Sequence, residues 1–212
     1  MFMSPKSAFN RCEAIVSGMF SVPSSAGAIA VGLANDLAVP TPDGPRPANV
    51  LRDGDVVSAA DGAQHTIKRV MRRSYGADLA RAYPEGLVFV PQGTLGCGED
   101  LYLLPDQPVG LGGLMYKDGP HGQPAMLRAR AMAGIGAVQF VLPVDGLVVT
   151  RLLFDQPVAF AAGRAMTMMC PAARQRPRVL SDEAARRIAF RVIPQCRPFA
   201  AEHRIALPAR AA

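Results

Sequence analysis

Residues 41–62 read TPDGPRPANVLRDGDVVSAADG, and this short segment contains three Asp-Gly pairs, at 43–44, 53–54 and 61–62. Asp-Gly pairs are typical of tight turns, because glycine adopts positive φ angles without steric cost. Apolar residues lie at regular positions between the pairs, and the gaps are too short for a helix of ordinary length. The segment therefore predicts a chain that folds back on itself repeatedly through short β-hairpins.

The composition of the whole chain agrees with this interpretation. The 212 residues are 50% apolar and 19% charged, which is typical of a globular protein and not of a disordered one. The 20 glycines and 19 prolines are spread along the sequence, which favours many short strands over helices. The length suits one large or two small domains. No apolar run reaches the roughly 18 residues needed to span a membrane.

The net charge of +6 permits an acidic partner. The basic residues form small groups: Lys68, Arg69, Arg72 and Arg73, then Arg174, Arg176 and Arg178, then Arg186, Arg187 and Arg191. Aromatic residues are scarce around them, tryptophan is absent, and no nucleic-acid-binding motif is present, so a nucleic-acid partner is disfavoured. A protein partner and a merely solvated basic face both remain open.

The four cysteines, Cys12, Cys97, Cys170 and Cys196, are widely separated and form no CxxC pair. This spacing predicts neither a zinc site nor a dense disulfide framework, although one or two long-range disulfides stay open if the protein is exported. The first twenty residues lack an uninterrupted apolar segment, so no signal peptide is predicted. Location, cytoplasmic or exported, is left open, and no cofactor is predicted.

The predicted fold class is mostly β with a short C-terminal helix. Strands are expected at 37–41, 55–59, 64–73, 87–91, 101–105, 125–130, 137–144, 146–154, 158–162 and 165–169. One helical turn is expected at 47–51, a loop at 110–123, a short helix at 8–20 and a loose tail from residue 194. At the C-terminal helix, Ser181 suits the N-cap, and Asp182 and Glu183 suit the first turn, where they favour the helix dipole.

The opening segment resembles the start of bacterial Hint domains, the hedgehog/intein superfamily. Their pattern T-P-D-G-x-x-P-V-x-x-L-x-x-G-D-x-V-x-x-x-D-G matches Thr41–Gly44, Pro47, Leu51, Gly54–Asp55 and Asp61–Gly62, among other positions, without a gap. The segments GEDLYLLPDQPVGL, MLRARAM and TRLLFDQPVAFAAG are similar to later blocks of the family, in the same order. The resemblance covers roughly residues 32–180.

The resemblance implies a flattened, horseshoe-like β structure of curved hairpins. It also implies three parts of the chain: an N-terminal extension at 1–31, the Hint-like β domain at 32–180, and a C-terminal helix and tail at 181–212. Active members of the family cut their own backbone. A cysteine or serine at the first residue attacks the preceding carbonyl, and a histidine protonates or polarises the amide nitrogen that leaves.

At the positions of these reactive groups the sequence departs from the family. The nucleophile falls on Gly32, the histidine of the SPQH-like block falls on Gln107, and a later family histidine falls on Gln156. Glutamine keeps a donor and an acceptor with roughly the reach of imidazole, but it does not titrate near neutral pH. If these positions are equivalent, Gly32, Gln107 and Gln156 should share one cleft.

These departures predict a degenerate Hint-like domain without catalytic, cofactor or metal residues, which has lost self-cleavage and serves as a structural or binding module. Two alternatives remain. One is a domain that still processes itself with a non-standard nucleophile, for which Cys12, Ser24, Ser25 and Cys97 are the nearest candidates. The other is a basic module that binds an acidic partner, with steep salt dependence. The three histidines, at 65, 121 and 203, are not placed as bases.

Overall fold

The structure, a computed structural model, describes residues 29–34, 37–111, 126–143, 146–172 and 179–193. Within these ranges the chain is mostly β, with short helices, which confirms the predicted fold class. The predicted helix at 8–20, the tail from 194 and most of the loop at 110–123 lie outside the described residues. None of the described helices has the length and apolar character of a transmembrane segment.

The strands in the described ranges are short and pair antiparallel. They are β1 Leu33–Ala34, β2 Ala38–Val39, β3 Arg46–Pro47, β4 Val56–Ser58, β5 Gln64–Thr66, β6 Arg69–Tyr75, β7 Leu87–Val90, β8 Leu101–Leu103, β9 Pro108–Leu111, β10 Leu127–Arg128, β11 Gln139–Val141, β12 Leu147–Leu153, β13 Val158–Ala161 and β14 Met166–Cys170. A six-stranded sheet has the order β11-β7-β8-β1-β12-β6, and a four-stranded sheet has the order β10-β9-β14-β13. The pairs β2–β3 and β4–β5 form two separate hairpins.

The three Asp-Gly pairs of residues 41–62 all form turns. Gly44, Gly54 and Gly62 have φ angles of 107°, 88° and 84°, which are strained for residues with a side chain. The first turn joins β2 to β3 and the third joins β4 to β5. At the second, the Gly54 amide donates to the Ile67 carbonyl at 2.8 Å. The predicted helical turn is a 3₁₀ turn at Ala48–Val50.

Some predicted strands are shorter than expected. The segment 64–73 is two strands, because the chain bends at the buried Ile67, whose amide donates to the Asp55 carbonyl and not to a strand of the large sheet. The segment 125–130 contains only β10 before it turns into a 3₁₀ helix at Ala129–Met132. The predicted loop at 110–123 begins later than expected, because β9 continues through Leu111 to pair with β14.

Two helices lie in the described ranges, α1 at Leu79–Ala82 and α2 at Asp182–Val192. The Ser181 side chain accepts a hydrogen bond from the Ala184 amide, so the predicted N-cap is confirmed. One face of α2 packs into the main core against the 3₁₀ turn at 129–132 through Ala185, Ala189 and Val192. The helix thus shares a core with the β strands, while the limits of the three parts stay predictions.

The buried apolar side chains of the described residues form two clusters. The larger one contains residues of both sheets and of α2. The smaller one contains Ala34, Tyr75, Leu79, Tyr83, Leu87, Leu104, Leu147 and Val149. Along β12 the side chains alternate between them, since Val149 packs in the smaller cluster and Leu152 in the larger. The strand β1 lies between β8 and β12, so residue 32 enters the middle of the six-stranded sheet.

Candidate functional site

Gly32 immediately precedes β1 and is buried. Its backbone amide donates a hydrogen bond to the side-chain oxygen Oε1 of Gln107, with an N···O distance of 3.0 Å. Seventy-five residues separate the two in sequence. The structure therefore brings together the two positions that sequence comparison assigned to the nucleophile and to the first family histidine.

Gln107 is completely buried in the loop between β8 and β9. Its side-chain nitrogen Nε2 donates to the Met169 carbonyl at 2.8 Å, so the carboxamide bridges residue 32 and strand β14. The backbone of the loop is also fixed: the Gln107 carbonyl accepts from the Ala129 amide at 3.0 Å, and the Pro105 carbonyl accepts from the Arg130 amide at 2.9 Å. The side-chain oxygen, the side-chain nitrogen and the backbone carbonyl of Gln107 therefore each have a hydrogen-bond partner.

The space beside Gly32 is filled. A Cβ atom at this position would lie 2.6 Å from Cγ1 of Val149, 3.3 Å from the Thr150 carbonyl oxygen and 3.6 Å from Cγ2 of Ile29. Val149 is fully buried and β-branched, so its methyl group has little freedom to move aside. The structure therefore leaves no room for a side chain at residue 32, which is a glycine.

The family model described as "Hint domain" matches residues 31–168 of this chain. The chain belongs to the Hint domain family. The match begins one residue before Gly32 and ends within β14, so it includes Gly32 and Gln107 and stops one residue before Met169. No curated protein matched the chain.

Two solved structures resemble this Hint domain. One is the solution structure of a bacterial intein-like domain from Clostridium thermocellum, at 13% sequence identity and a TM-score of 0.44, covering 65% of this chain and 97% of that one. The other is a GSH-linked, splice-inactive variant of the AceL NrdHF class 3 split intein, at 13% identity and a TM-score of 0.39, covering 67% of this chain and 98% of that one.

Gln156 lies apart from this pair, and the expectation of one cleft for all three positions is wrong. It is exposed, in the bend that joins β12 to β13, and its Nε2 is 3.4 Å from Nδ1 of His65 on β5. Phe154 and Val158 on either side of the bend are buried, whereas Asp155 and Gln156 between them are exposed. In this Hint domain only Gly32 and Gln107 are joined.

The two cysteines in the described ranges, Cys97 and Cys170, are free and buried. Burial raises the pKa of the Cys97 thiol to about 11, with Glu99 adding to the effect. Burial also raises the pKa of Cys170 to about 12, against the opposing influence of Arg151. Both thiols are therefore protonated near neutral pH and act as small apolar side chains.

The residue before Gln107 belongs to an ionic cluster that sequence reasoning missed. The Asp106 carboxylate lies 2.9 Å from Nη2 of Arg130 and 3.8 Å from Nε of Arg128. Arg128 also pairs with Asp182 at 3.0 Å, which links the start of α2 to this loop. Burial raises the pKa of Asp106, with the two arginines opposing the rise. The sequence feature that could have indicated this cluster is the pair Arg128 and Arg130 in the family-like segment MLRARAM.

Among the described residues, no group of three or more His, Cys, Asp or Glu side chains could hold a metal ion. The polar groups at the site are the Gln107 carboxamide and the backbone groups that it contacts. A carboxamide oxygen that accepts from an amide N–H fixes that amide, and it has no proton to give.

Proposed function

We propose that this Hint domain has lost autoprocessing and acts as a structural or binding module that keeps its N-terminal flank attached. The hydrogen bond from the Gly32 amide to Gln107 Oε1 carries the proposal. In the reaction of active relatives, the nitrogen of residue 32 would leave and would gain a proton. Here the side chain that reaches this nitrogen accepts a hydrogen bond from it and does not titrate.

The nucleophile is missing as well. Gly32 has no side chain to attack the Val31 carbonyl, so the covalent route to a thioester is closed. Acid-base assistance by a titrating group contributes about 10²–10⁴-fold to such reactions, and Gln107 cannot supply it. Losing both leaves the Val31–Gly32 peptide bond at the reactivity of an ordinary amide.

A substitute nucleophile has little support in the described part of the chain. Cys97 and Cys170 are buried with raised pKa values, so neither is a thiolate near neutral pH. The Thr150 hydroxyl is buried, and its Oγ1 has no hydrogen-bond partner among the described residues, so no base activates it. Thr150 also follows Val149 on β12, which turns its side chain to the opposite face of the strand from the Gly32 contact.

The test is the mass of the intact full-length chain after incubation with a thiol or with hydroxylamine. The proposal expects a single unchanged mass, because no thioester forms for either reagent to cleave. Release of a fragment ending at Val31 would overturn the proposal and would favour a non-standard nucleophile. Release at another bond would show that the cleavage position had been assigned to the wrong residue, and would overturn it equally.

A further inference from the structure

Ile29, three residues before Gly32, has both of its backbone polar groups held by tyrosine side chains. Its amide donates to the Tyr75 hydroxyl at 2.9 Å, and its carbonyl accepts from the Tyr83 hydroxyl at 2.8 Å. Tyr75 ends β6, and Tyr83 directly follows α1. Two side chains from separate elements thus converge on the main chain of one residue.

The two hydroxyls have opposite roles: Tyr83 donates to the Ile29 carbonyl, and Tyr75 accepts from the Ile29 amide. Burial is the main cause that raises the pKa of Tyr83, so its hydroxyl keeps the proton that it donates.

Both tyrosines belong to the smaller core cluster. Tyr75 and Tyr83 are only 2% and 5% exposed, and their rings pack edge to face with centroids 5.4 Å apart. Ile29 packs against the smaller core cluster, which contains both tyrosines and Val149. The tyrosine hydroxyls thus bind the main chain of residue 29, while its aliphatic side chain packs against the cluster.

We propose that Tyr75 and Tyr83 form a binding subsite for the main chain of an aliphatic residue, and that its occupant is this domain's own N-terminal flank at residue 29. Gln107 holds the flank a second time at Gly32, so residues 29–32 are anchored at both ends. The ligand of the proposed binding module is then the polypeptide that precedes it in the same chain. This proposal rests on the proposed function in one respect, that the flank stays attached.

The experiment is amide hydrogen exchange, resolved by residue, on the full-length chain and on Tyr75→Phe. Removing one net hydrogen bond should speed exchange of the Ile29 amide by about tenfold, because the amide loses its acceptor. Exchange of the Gly32 amide, held by Gln107, should stay unchanged. Tyr102→Phe is the matched control, because Tyr102 packs against the same cluster and its ring lies against Phe89. It should leave both amides unchanged.

Unchanged exchange at Ile29 in Tyr75→Phe would overturn the subsite. If Tyr75→Phe speeds exchange throughout the chain, Ile29→Ala tests the subsite from the ligand's side. It should speed exchange at residue 29 by about fivefold through lost burial, and no change there would also overturn the proposal. A released N-terminal fragment in the mass experiment would refute the proposed function alone, so the two failures are distinguishable.

Discussion

Gln107 and Gln156 stand at the two positions where the Hint resemblance implies a histidine, yet their surroundings differ. Gln107 is fully buried and bridges the Gly32 amide and the Met169 carbonyl at 3.0 and 2.8 Å. Gln156 is exposed, and its nitrogen lies 3.4 Å from a ring nitrogen of His65. Gln107 thus connects the residue that precedes strand β1 to the four-stranded sheet, whereas Gln156 lies on an exposed bend.

The difference shows that a polar side chain contributes to stability chiefly where buried backbone groups depend on it for their hydrogen bonds. At residue 107 two buried backbone groups would be left unsatisfied without the carboxamide, and such groups are costly. At residue 156 water replaces any lost partner. The two glutamines therefore provide a matched pair of sites for testing which substitution matters and why.

The largest expected effect is recovery of cleavage. The triple variant Gly32→Cys, Gln107→His, Val149→Ala supplies a thiol, an imidazole next to the scissile nitrogen, and room for the new Cβ. We expect thiol-dependent release of the fragment ending at Val31, accelerated by about 10² or more over the parent chain, which lacks both groups. Intact mass against time after thiol addition measures it.

The control for this experiment exchanges one glutamine for the other. Gly32→Cys, Gln156→His, Val149→Ala carries the same side chains but places the imidazole in the exposed bend, and it should not cleave. Neither Gly32→Cys nor Gln107→His alone should cleave. Equal cleavage in the two triple variants would show that the contact between residues 32 and 107 has no role, and the comparison would fail.

The next effect is on stability. Gln107→Ala removes the partners of the Gly32 amide and the Met169 carbonyl, so we expect a loss of about 3–5 kcal/mol in the free energy of unfolding. Gln156→Ala should stay within about 0.5 kcal/mol of the parent. Urea unfolding of both variants measures the difference. Similar losses of unfolding free energy in the two variants would contradict the claim that the buried bridge contributes more to stability than the exposed glutamine.

A smaller effect is expected at Gly32 itself. In Gly32→Ala the new Cβ meets Val149 at 2.6 Å, which should cost about 1–3 kcal/mol. Val149→Ala should relieve part of this strain, so a double-mutant cycle should give a coupling of about 1 kcal/mol. Gly98→Ala is the control, because nothing lies within 4 Å of a Cβ there. Additive effects of the first two changes would rule out the steric account.

Much of the fold could be predicted because local chemistry fixes it. Asp-Gly pairs need positive φ at the glycine, so the turns at Gly44, Gly54 and Gly62 are readable from sequence. The Ser181 cap is readable for the same kind of reason. The two-residue strand β1 is not, since its pairing with β8 and β12 depends on residues about 70 and 115 positions away.

The site was predictable only in part. The family pattern identified Gly32, counted back from the ungapped motif at 41–62, and Gln107, within the segment GEDLYLLPDQPVGL, and the structure joins them. The same counting failed at Gln156, since a family position carries no information about which way an exposed bend projects. Neither Val149 nor Met169 has a sequence signal for its role, because a steric contact and a backbone carbonyl are properties of the folded chain alone.

The smallest expected effect compares the acidic residues that precede the two glutamines. Burial raises the pKa of Asp106, so the folded chain holds that proton more tightly than the unfolded chain does. Its contribution to stability is therefore present below the ordinary pKa of 3.8 and is lost as the pH rises from there through the folded pKa. Asp106→Asn should make the free energy of unfolding less dependent on pH in this range.

Asp155→Asn is the matched change in the other region. Asp155 is largely exposed and pairs with Lys68 at 2.9 Å, so its loss should alter stability by less than about 1 kcal/mol. Urea unfolding of the parent and both variants between about pH 3 and pH 7 separates the two cases. If Asp155→Asn reduces the pH dependence of the unfolding free energy as much as Asp106→Asn does, then the burial of Asp106 beside Gln107 does not determine that dependence. The ionic cluster would then be an ordinary surface network, and only the carboxamide bridge would distinguish the two regions.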